Sequence, residues 1–321
     1  MIKQLKDKVL GGSMLTRQEA LWLCSAPLEP LCRAADAVRA HYCGNVFDIC
    51  AIVNAKSGRC SENCRFCAQS AHYPTNTDDY NLMDADSLVD QAQKDAAAGV
   101  LRFSLVMSGR RLSDQEVDAV CTAVERIRRT TGLAVCISGG LLAAEAFAKL
   151  KAAGVSRVHN NLETSRRFFP EVCTTHTYRD KIAAIRAAQA AGLSVCSGGI
   201  LGMGETWEDR IDMALTLRTL GVKSVPINRL NPILGTPLAA ADGISDDDLC
   251  RAVAIYRLLL PDAAIRLAGG RGLLPDKGRA CFASGANAVI SGNMLTTAGD
   301  TIASDLAMIG AMGFRKGLYH G

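Results

Sequence analysis

Apolar positions along this chain fall into one recurring unit. A helical run of mixed polarity ends in a glycine, and a short aliphatic stretch follows. The glycines are Gly99, Gly132, Gly154, Gly192, Gly221 and Gly285, in contexts such as AAAG-VLRF, TTG-LAVC and AAG-LSVC. A glycine at that place is the usual helix stop, because it takes the left-handed conformation without cost. The aliphatic stretches are VFDICAIVN (46–54), LRFSLVM (101–107), LAVCIS (133–138), SRVHNNLE (156–163), LSVCSGGI (193–200), SVPINRL (224–230), AAIRLAGG (263–270) and ANAVISG (286–292). They predict eight strands with helices between them. Alternating units of this kind imply an α/β fold with a parallel sheet, and eight of them imply a closed (β/α)8 TIM-type barrel. A doubly wound open sheet is the alternative. Residues 1–42 read as helices placed before the barrel, residues 43–315 as the barrel, and residues 316–321 as a short solvated tail.

Alternation within the strands separates two faces. Leu101/Phe103/Leu105, Leu133/Val135/Ile137, Val158/Leu162, Leu193/Val195, Val225/Ile227 and Ile265/Leu267 form an apolar face for the surrounding helices. The other face carries Arg102/Ser104, Cys136/Ser138, His159/Asn161/Glu163, Cys196, Asn228 and Arg266. Barrel interiors are ordinarily filled with branched apolar side chains. A polar, thiol-rich interior costs stability unless an occupant satisfies those groups. An internal ligand or cofactor site is therefore expected.

Composition narrows the class. With 49% hydrophobic and 21% charged residues, the chain is globular and not disordered. A net charge of +4 is too small for a nucleic-acid footprint. No stretch approaches 18 uninterrupted apolar residues, and the opening MIKQLKDKVLGGSM has no apolar signal core. A cytoplasmic protein without membrane or nucleic-acid partners is expected. Thirteen cysteines then read as reduced thiols or metal ligands. Cys24, Cys32, Cys121, Cys250 and Cys281 lie on helix-like stretches, where a cysteine serves as a small hydrophobe.

Directly after the first strand stands KSGRCSENCRFCAQS, in which Cys60, Cys64 and Cys67 form C-x3-C-x2-C. Three thiolates on one loop can hold three irons of a [4Fe–4S] cluster and leave the fourth open to a ligand. The alternative is structural zinc. Zinc takes four ligands, and His72 is the one nearby candidate for the fourth.

The triplet, with Phe66 just before its last cysteine and its place after the first strand, resembles the radical S-adenosylmethionine superfamily. That resemblance implies a cofactor whose methionine moiety chelates the open iron. Cleavage of the cofactor there yields a 5′-deoxyadenosyl radical, which abstracts hydrogen from unactivated carbon. Gly198-Gly199-Ile200-Leu201-Gly202-Met203-Gly204-Glu205 is similar to the superfamily's G-x-I-x-G-x-x-E segment, which lies beside the adenine. Taken alone, this segment also suits a tight strand-to-helix turn.

HNNLETS, SVCSGGILGMGET, SVPINRLNPILGTPL, IRLAGGR and GANAVISGNMLTT together resemble the biotin synthase family, over nearly the whole chain. The resemblance implies insertion of sulfur into dethiobiotin to give biotin, with two S-adenosylmethionine molecules consumed and sulfur drawn from an auxiliary iron–sulfur cluster in the barrel. It implies cofactor-cluster ligands at Cys60, Cys64 and Cys67. Asn161 and Glu163 fall where the family contacts the cofactor ribose and the substrate, Gly202 and Glu205 lie in the cofactor segment, and Asn228 falls at a substrate contact. Cys136, Cys196 and Arg266 match three of the four ligands of a [2Fe–2S] cluster and would carry the sulfur chemistry. Arg266 could equally be a barrel arginine paired with Glu163 or another acid.

The chain departs from that pattern at Ser104, where the familiar form has a cysteine. A serine hydroxyl is a poor iron ligand. An extra thiol, Cys173, stands in PEVCTTHTY after strand four. It is either an ordinary buried loop cysteine or, with Cys136 and Cys196, a ligand of a different auxiliary cluster, such as a four-iron one. The resemblance further implies a homodimer, an electron donor such as flavodoxin or ferredoxin, and service by the iron–sulfur assembly machinery. The competing function is another radical enzyme of the same subfamily, a cofactor maturase or a methylornithine-forming mutase. A non-catalytic metal-binding barrel leaves the polar interior unexplained.

Overall fold

The computed structural model describes residues 1–297 and 299–319. Three helices come first: α1 (Ile2–Leu10), α2 (Arg17–Leu23) and α3 (Leu28–Cys43). The strands are β1 (Val46–Lys56), β2 (Arg102–Met107), β3 (Ala134–Ser138), β4 (Arg157–His159), β5 (Ser194–Cys196), β6 (Gly199–Leu201), β7 (Ser224–Arg229), β8 (Ala264–Leu267), β9 (Ala288–Ser291) and β10 (Arg315–Lys316). β5 and β6 are two pieces of the expected fifth strand, interrupted at Ser197-Gly198. Every pairing among β1–β9 is parallel, and β1 pairs with both β2 and β9. The β1–β9 ladder, with Asp48 opposite Ala288 and Cys50 opposite Ile290, closes the barrel and excludes an open sheet.

Local signals explain the helices. All six stop glycines have positive φ, between 66° and 109°. Capping boxes start several helices: Ser113 with Glu116, Thr177 with Asp180 and Thr206 with Asp209. Phe103, Leu105, Val135, Ile137, Val158, Val225, Ile227, Ile265 and Leu267 join one core with the inner faces of those helices. The outward apolar face expected from strand alternation is the one observed except at Leu101, which precedes β2 and is only half-buried. No helix among the described residues is long and apolar enough to cross a membrane.

The end of the chain differs from expectation. β10 runs alongside the start of β1, and Gly317 N–H donates to the Phe47 carbonyl at 3.0 Å. Tyr319 N–H then reaches the Asp48 carboxylate at 3.2 Å, and Arg157 donates to the Tyr319 carbonyl at 3.3 Å. The described part of the tail therefore lies across the N-terminal end of the barrel. His320 and Gly321 fall outside the described residues.

Two glycines are dictated by close approach. A Cβ on Gly198 would meet the Pro226 carbonyl oxygen at 1.9 Å, and one on Gly199 would meet the Glu163 carbonyl oxygen at 2.2 Å. This is where β4, β6 and β7 crowd together and turn their polar residues inward. Gly199→Ala is expected to destabilise the protein by about 1–3 kcal/mol through forced displacement. A urea denaturation midpoint equal to that of the parent would overturn this.

Candidate active site

A cavity of about 390 Å³ runs down the barrel from the loop that follows β1. At its mouth stand Cys60, Cys64, Phe66 and Cys67. The cysteine loop closes on itself. Cys60 N–H donates to the Gln69 carbonyl, Ala71 N–H to the Cys60 carbonyl and Cys67 N–H to the Cys64 carbonyl. Gly58 and Arg59, both at positive φ, swing the chain from β1 into this loop. All three thiols of the triplet thus face one opening. Burial pushes the Cys67 thiol up to about 11. His72, the candidate fourth zinc ligand, instead lies at the surface and contacts the Ser61 carbonyl at 3.0 Å.

Midway down, Asn161, Glu163, Asn228, His159 and Ile200 line the wall. The Asn161 side chain accepts from Gly198 N–H at 3.0 Å and donates to Glu163 at 3.2 Å. Asn228 donates to the Gly199 carbonyl at 3.0 Å and accepts from Gly269 N–H at 2.8 Å, tying β7 to both neighbours. Each amide retains hydrogen-bonding capacity beyond these contacts. Glu163 has φ 69°, a left-handed conformation rare for a non-glycine residue. Such strain concentrates at functional sites. Burial raises the Glu163 carboxyl above its ordinary range. Burial lowers His159 to about 4, so its ring is neutral near pH 7.

Gly202 and Glu205 do not line the cavity. Glu205 turns back on its own loop and accepts from Gly202 N–H at 2.9 Å and Met203 N–H at 2.8 Å, with Arg210 at 2.7 Å. The Glu205 side chain is thus engaged by its own loop and by Arg210. The pair shapes the turn that follows Ile200, and Ile200 is the side chain of that segment facing inward.

The deep end holds a set the sequence only partly indicated. Cys136 and Cys196 line the cavity as expected, and so does Ser104. A third thiol, Cys50 on β1, joins them. Burial pushes the Cys50 thiol up to about 12 and raises Cys136 as well. Strand alternation carried through β1 would have placed Cys50 inward. Arg102, Arg157 and Arg266, all buried, surround these thiols. Arg266 is tied to the protein. It donates to the Asp48 carboxylate at 2.8 Å and to the Val289 carbonyl at 2.8 Å. Its partner is thus Asp48, and not Glu163. Arg102 Nη1 lies 3.6 Å from Cys136 Sγ, while its Nε and Nη2 are buried without a hydrogen-bond partner.

Cys173 is the clearest correction. It does not line the cavity and does not meet Cys136 or Cys196 there. The short helix Phe169–Val172 carries it outward against the cysteine loop. Its Sγ lies 3.3 Å from His176 Nδ1 and 3.4 Å from Asn63 Oδ1, beside Cys64. The backbone explains the placement. Arg65 N–H donates to the Val172 carbonyl, and Asn63 Oδ1 accepts from the Thr174 and Thr175 amides, so residues 171–176 are zipped onto residues 62–65.

Comparison with known proteins agrees with this arrangement. Residues 55–217 match the Radical SAM superfamily, and residues 226–315 match the Biotin and Thiamin Synthesis associated domain. The chain is 55% identical over 314 residues to biotin synthase of Brachyspira hyodysenteriae, covering 98% of this chain and 94% of that one. It is 57% identical over 320 residues to biotin synthase 2 of Corynebacterium diphtheriae, covering 99% and 97%. The chain belongs to the biotin synthase family. Among solved structures, methylornithine synthase superposes with a TM-score of 0.85 at 22% identity, covering 98% of each chain, which shows the shared barrel. A maturase of the [FeFe]-hydrogenase gives 0.83 at 17% identity, covering all of this chain and 76% of that one.

Biotin synthases of this radical type use a [4Fe–4S] cluster, S-adenosylmethionine and an auxiliary iron–sulfur cluster, and the residues present suit all three. The triplet offers three convergent thiols at the mouth. The deep end offers three buried thiols beside guanidinium atoms that lack a partner. Three arginines against one Asp48 leave an excess of buried positive charge, which an anionic cluster would balance.

In the cluster-free protein, His159 makes stability depend on pH. The unfolded chain binds its proton near the ordinary pKa of about 6.5, whereas the folded protein refuses it until about 4. Stability contributed this way is present above pH 6.5 and lost as pH falls towards 4, by up to about 3 kcal/mol. Urea midpoints measured between pH 4.5 and 7 should rise with pH, and His159→Gln should flatten that rise. A parallel rise in the variant would assign it to other groups.

Proposed function

We propose that this chain inserts sulfur into dethiobiotin, with the radical centre at Cys60, Cys64 and Cys67 and the sulfur source at Cys50, Cys136 and Cys196. The observation carrying this reading is one continuous cavity with three thiols at its mouth, three at its depth, and an amide-rich wall between. When bound, the two clusters and S-adenosylmethionine supply a radical able to take hydrogen from saturated carbon, and a sulfur atom to replace it.

The protein's own groups hold the reactants in line. Asn161 and Asn228 present donors and acceptors to a ureido ring, which needs both. Glu163, half-buried beside Asn161, is suited to accept from ribose hydroxyls of the cofactor. A substrate seated at this level lies between the two thiol sets, so the same carbon skeleton is reachable from above and below. Orientation of this kind is a main contribution of a protein to cofactor chemistry. The closed barrel also shields a reactive carbon radical from water and stray hydrogen donors.

In the deep set, Cys50 takes the place that Ser104 cannot fill. Arg266 acts through Asp48 to hold the base of the site and is not an iron ligand. A homodimer, a flavodoxin or ferredoxin as reductant, and the assembly machinery belong to the same proposal.

The deciding experiment is an anaerobic assay of the reconstituted enzyme with dethiobiotin, S-adenosylmethionine and a reductant. Biotin and 5′-deoxyadenosine should both appear. Cofactor cleavage without biotin would point to a different substrate. Alanine at Cys60, Cys64 or Cys67 should abolish 5′-deoxyadenosine formation, and ordinary cleavage in any of these variants removes that residue from the radical centre. Asn161→Ala should weaken ligand binding about five- to 150-fold, as expected for one buried hydrogen bond left unmade at about 1–3 kcal/mol. Unchanged affinity for both dethiobiotin and S-adenosylmethionine would sink that role.

Iron and sulfide counts test the deep set directly. Cys50→Ala, Cys136→Ala and Cys196→Ala should each lose the auxiliary iron while retaining cofactor cleavage. Ser104→Ala should keep both clusters. If Ser104→Ala loses auxiliary iron and Cys50→Ala keeps it, the ligand assignment fails.

A further inference from the structure

Outside the cavity, the loop zipped onto the cysteine triplet brings together a second donor set. One ligating atom from each of Cys64, Cys173 and His176 lies within 4.8 Å of the other two. Two thiols and an imidazole are a donor set that zinc-class divalent ions favour. Metal–sulfur bonds of about 2.3 Å and metal–nitrogen bonds of about 2.0–2.1 Å put the donors of one tetrahedral ion about 3.3–3.8 Å apart. The observed cluster needs only small movements to reach that spacing.

The surroundings are built. His176 and Cys173 are buried, at 6% and 3% exposure. Glu62, itself buried, contacts His176 Nδ1 and accepts from the Thr175 hydroxyl at 2.9 Å. Cys173 Sγ and Glu62 meet the same ring nitrogen, so an ion held at Nδ1 would take the carboxylate's place there. His176 Nε2 is buried with no hydrogen-bond partner. Asn63 fixes the loop that carries Cys173 by accepting from the Thr174 and Thr175 amides. None of these groups faces the reaction cavity except Cys64.

We propose that, in the cluster-free protein, Cys64, Cys173 and His176 bind a single thiophilic divalent cation. Binding releases the two thiol protons and forms two metal–thiolate bonds and one metal–imidazole bond, with no change in oxidation state. The site uses Cys64, so an ion seated there withdraws one thiolate from the triplet. The mononuclear site and the [4Fe–4S] cluster therefore exclude each other. The exclusion rests on Cys64 being a ligand of the radical cluster, as read above, whereas the cation site itself stands without that reading.

The test uses the full-length, cluster-free protein under anaerobic conditions, with Co2+ as a spectroscopic probe. One equivalent should bind with thiolate charge-transfer absorption and tetrahedral ligand-field bands. Cys173→Ala and His176→Ala should each weaken binding at least tenfold, and Cys173→Ser should do the same while keeping the size of the side chain and the parental far-ultraviolet circular dichroism. Cys60→Ala and Cys67→Ala should bind Co2+ as the parent does. If Cys60→Ala loses Co2+ while Cys173→Ala keeps it, the ion sits in the triplet and the proposal is overturned, as it is if no tetrahedral signal forms. Separately, one equivalent of Zn2+ added before reconstitution should slow [4Fe–4S] formation in the parent and not in Cys173→Ala. Undiminished reconstitution of a zinc-loaded parent would overturn the exclusion, whereas the assignment of Cys64 to the radical cluster is decided by the cleavage assay of Cys64→Ala.

Discussion

A single carboxylate at the base of the barrel organises the deep half of this molecule. Asp48 is fully buried and faces the guanidinium groups of Arg266 and Arg102, and it also accepts from the backbone of Tyr319. Its carboxyl is held below its ordinary range by Arg266, Arg102 and Arg157 against the cost of burial. A buried carboxylate alone, or a buried guanidinium alone, would be costly. Together they form a charged floor that fixes the ends of β1, β2 and β8 and turns Cys50, Cys136 and Cys196 towards one space. Because one acid cannot neutralise three arginines, the floor remains cationic. The part of the barrel most expensive to bury is thus the part that most favours an anionic iron–sulfur occupant.

The two thiol sets then differ by construction. The mouth set rides on a loop stabilised by its own backbone hydrogen bonds and by the zipped segment 171–176. The deep set rides on three different strands and is positioned by the barrel itself. A loop can admit a cofactor and accommodate its release. A set fixed by strands cannot be rearranged without opening the sheet. This division suits a radical centre that exchanges cofactor at every turnover and a sulfur source that must stay near the reacting carbon.

Much of this was legible in the chain. Eight aliphatic strands separated by glycine-stopped helices indicated the barrel, because glycine at a helix end and alternation within a strand both have local physical causes. Alternation also placed Ser104, Cys136, His159, Asn161, Cys196, Asn228 and Arg266 inward. What escaped was long-range. Asp48 and Arg266 are 218 positions apart and meet only because β1 and β8 flank β9 in the closed sheet. The sequence left Cys173 open between a buried loop cysteine and a ligand beside Cys136 and Cys196. Its true direction is set by Asn63, 110 positions earlier, whose side chain captures the amides that follow it. The motif gives no sign that the Glu205 carboxylate is held by two amides of its own turn and by Arg210 on the next helix.

The positions of Ser104 and Cys50 show what a motif comparison leaves out. In the parallel ladder Ser104 is level with Ile52 on β1 and Cys136 on β3, while Cys50 is level with Arg102. Moving the third thiol from β2 to β1 keeps three sulfur donors facing the same cavity, because both positions point inward. It also sets that thiol level with Arg102, whose Nη1 lies 3.6 Å from Cys136 Sγ. A motif compared position by position registers only the lost cysteine. In this chain three thiols, Cys50, Cys136 and Cys196, still line the cavity, each on a different strand.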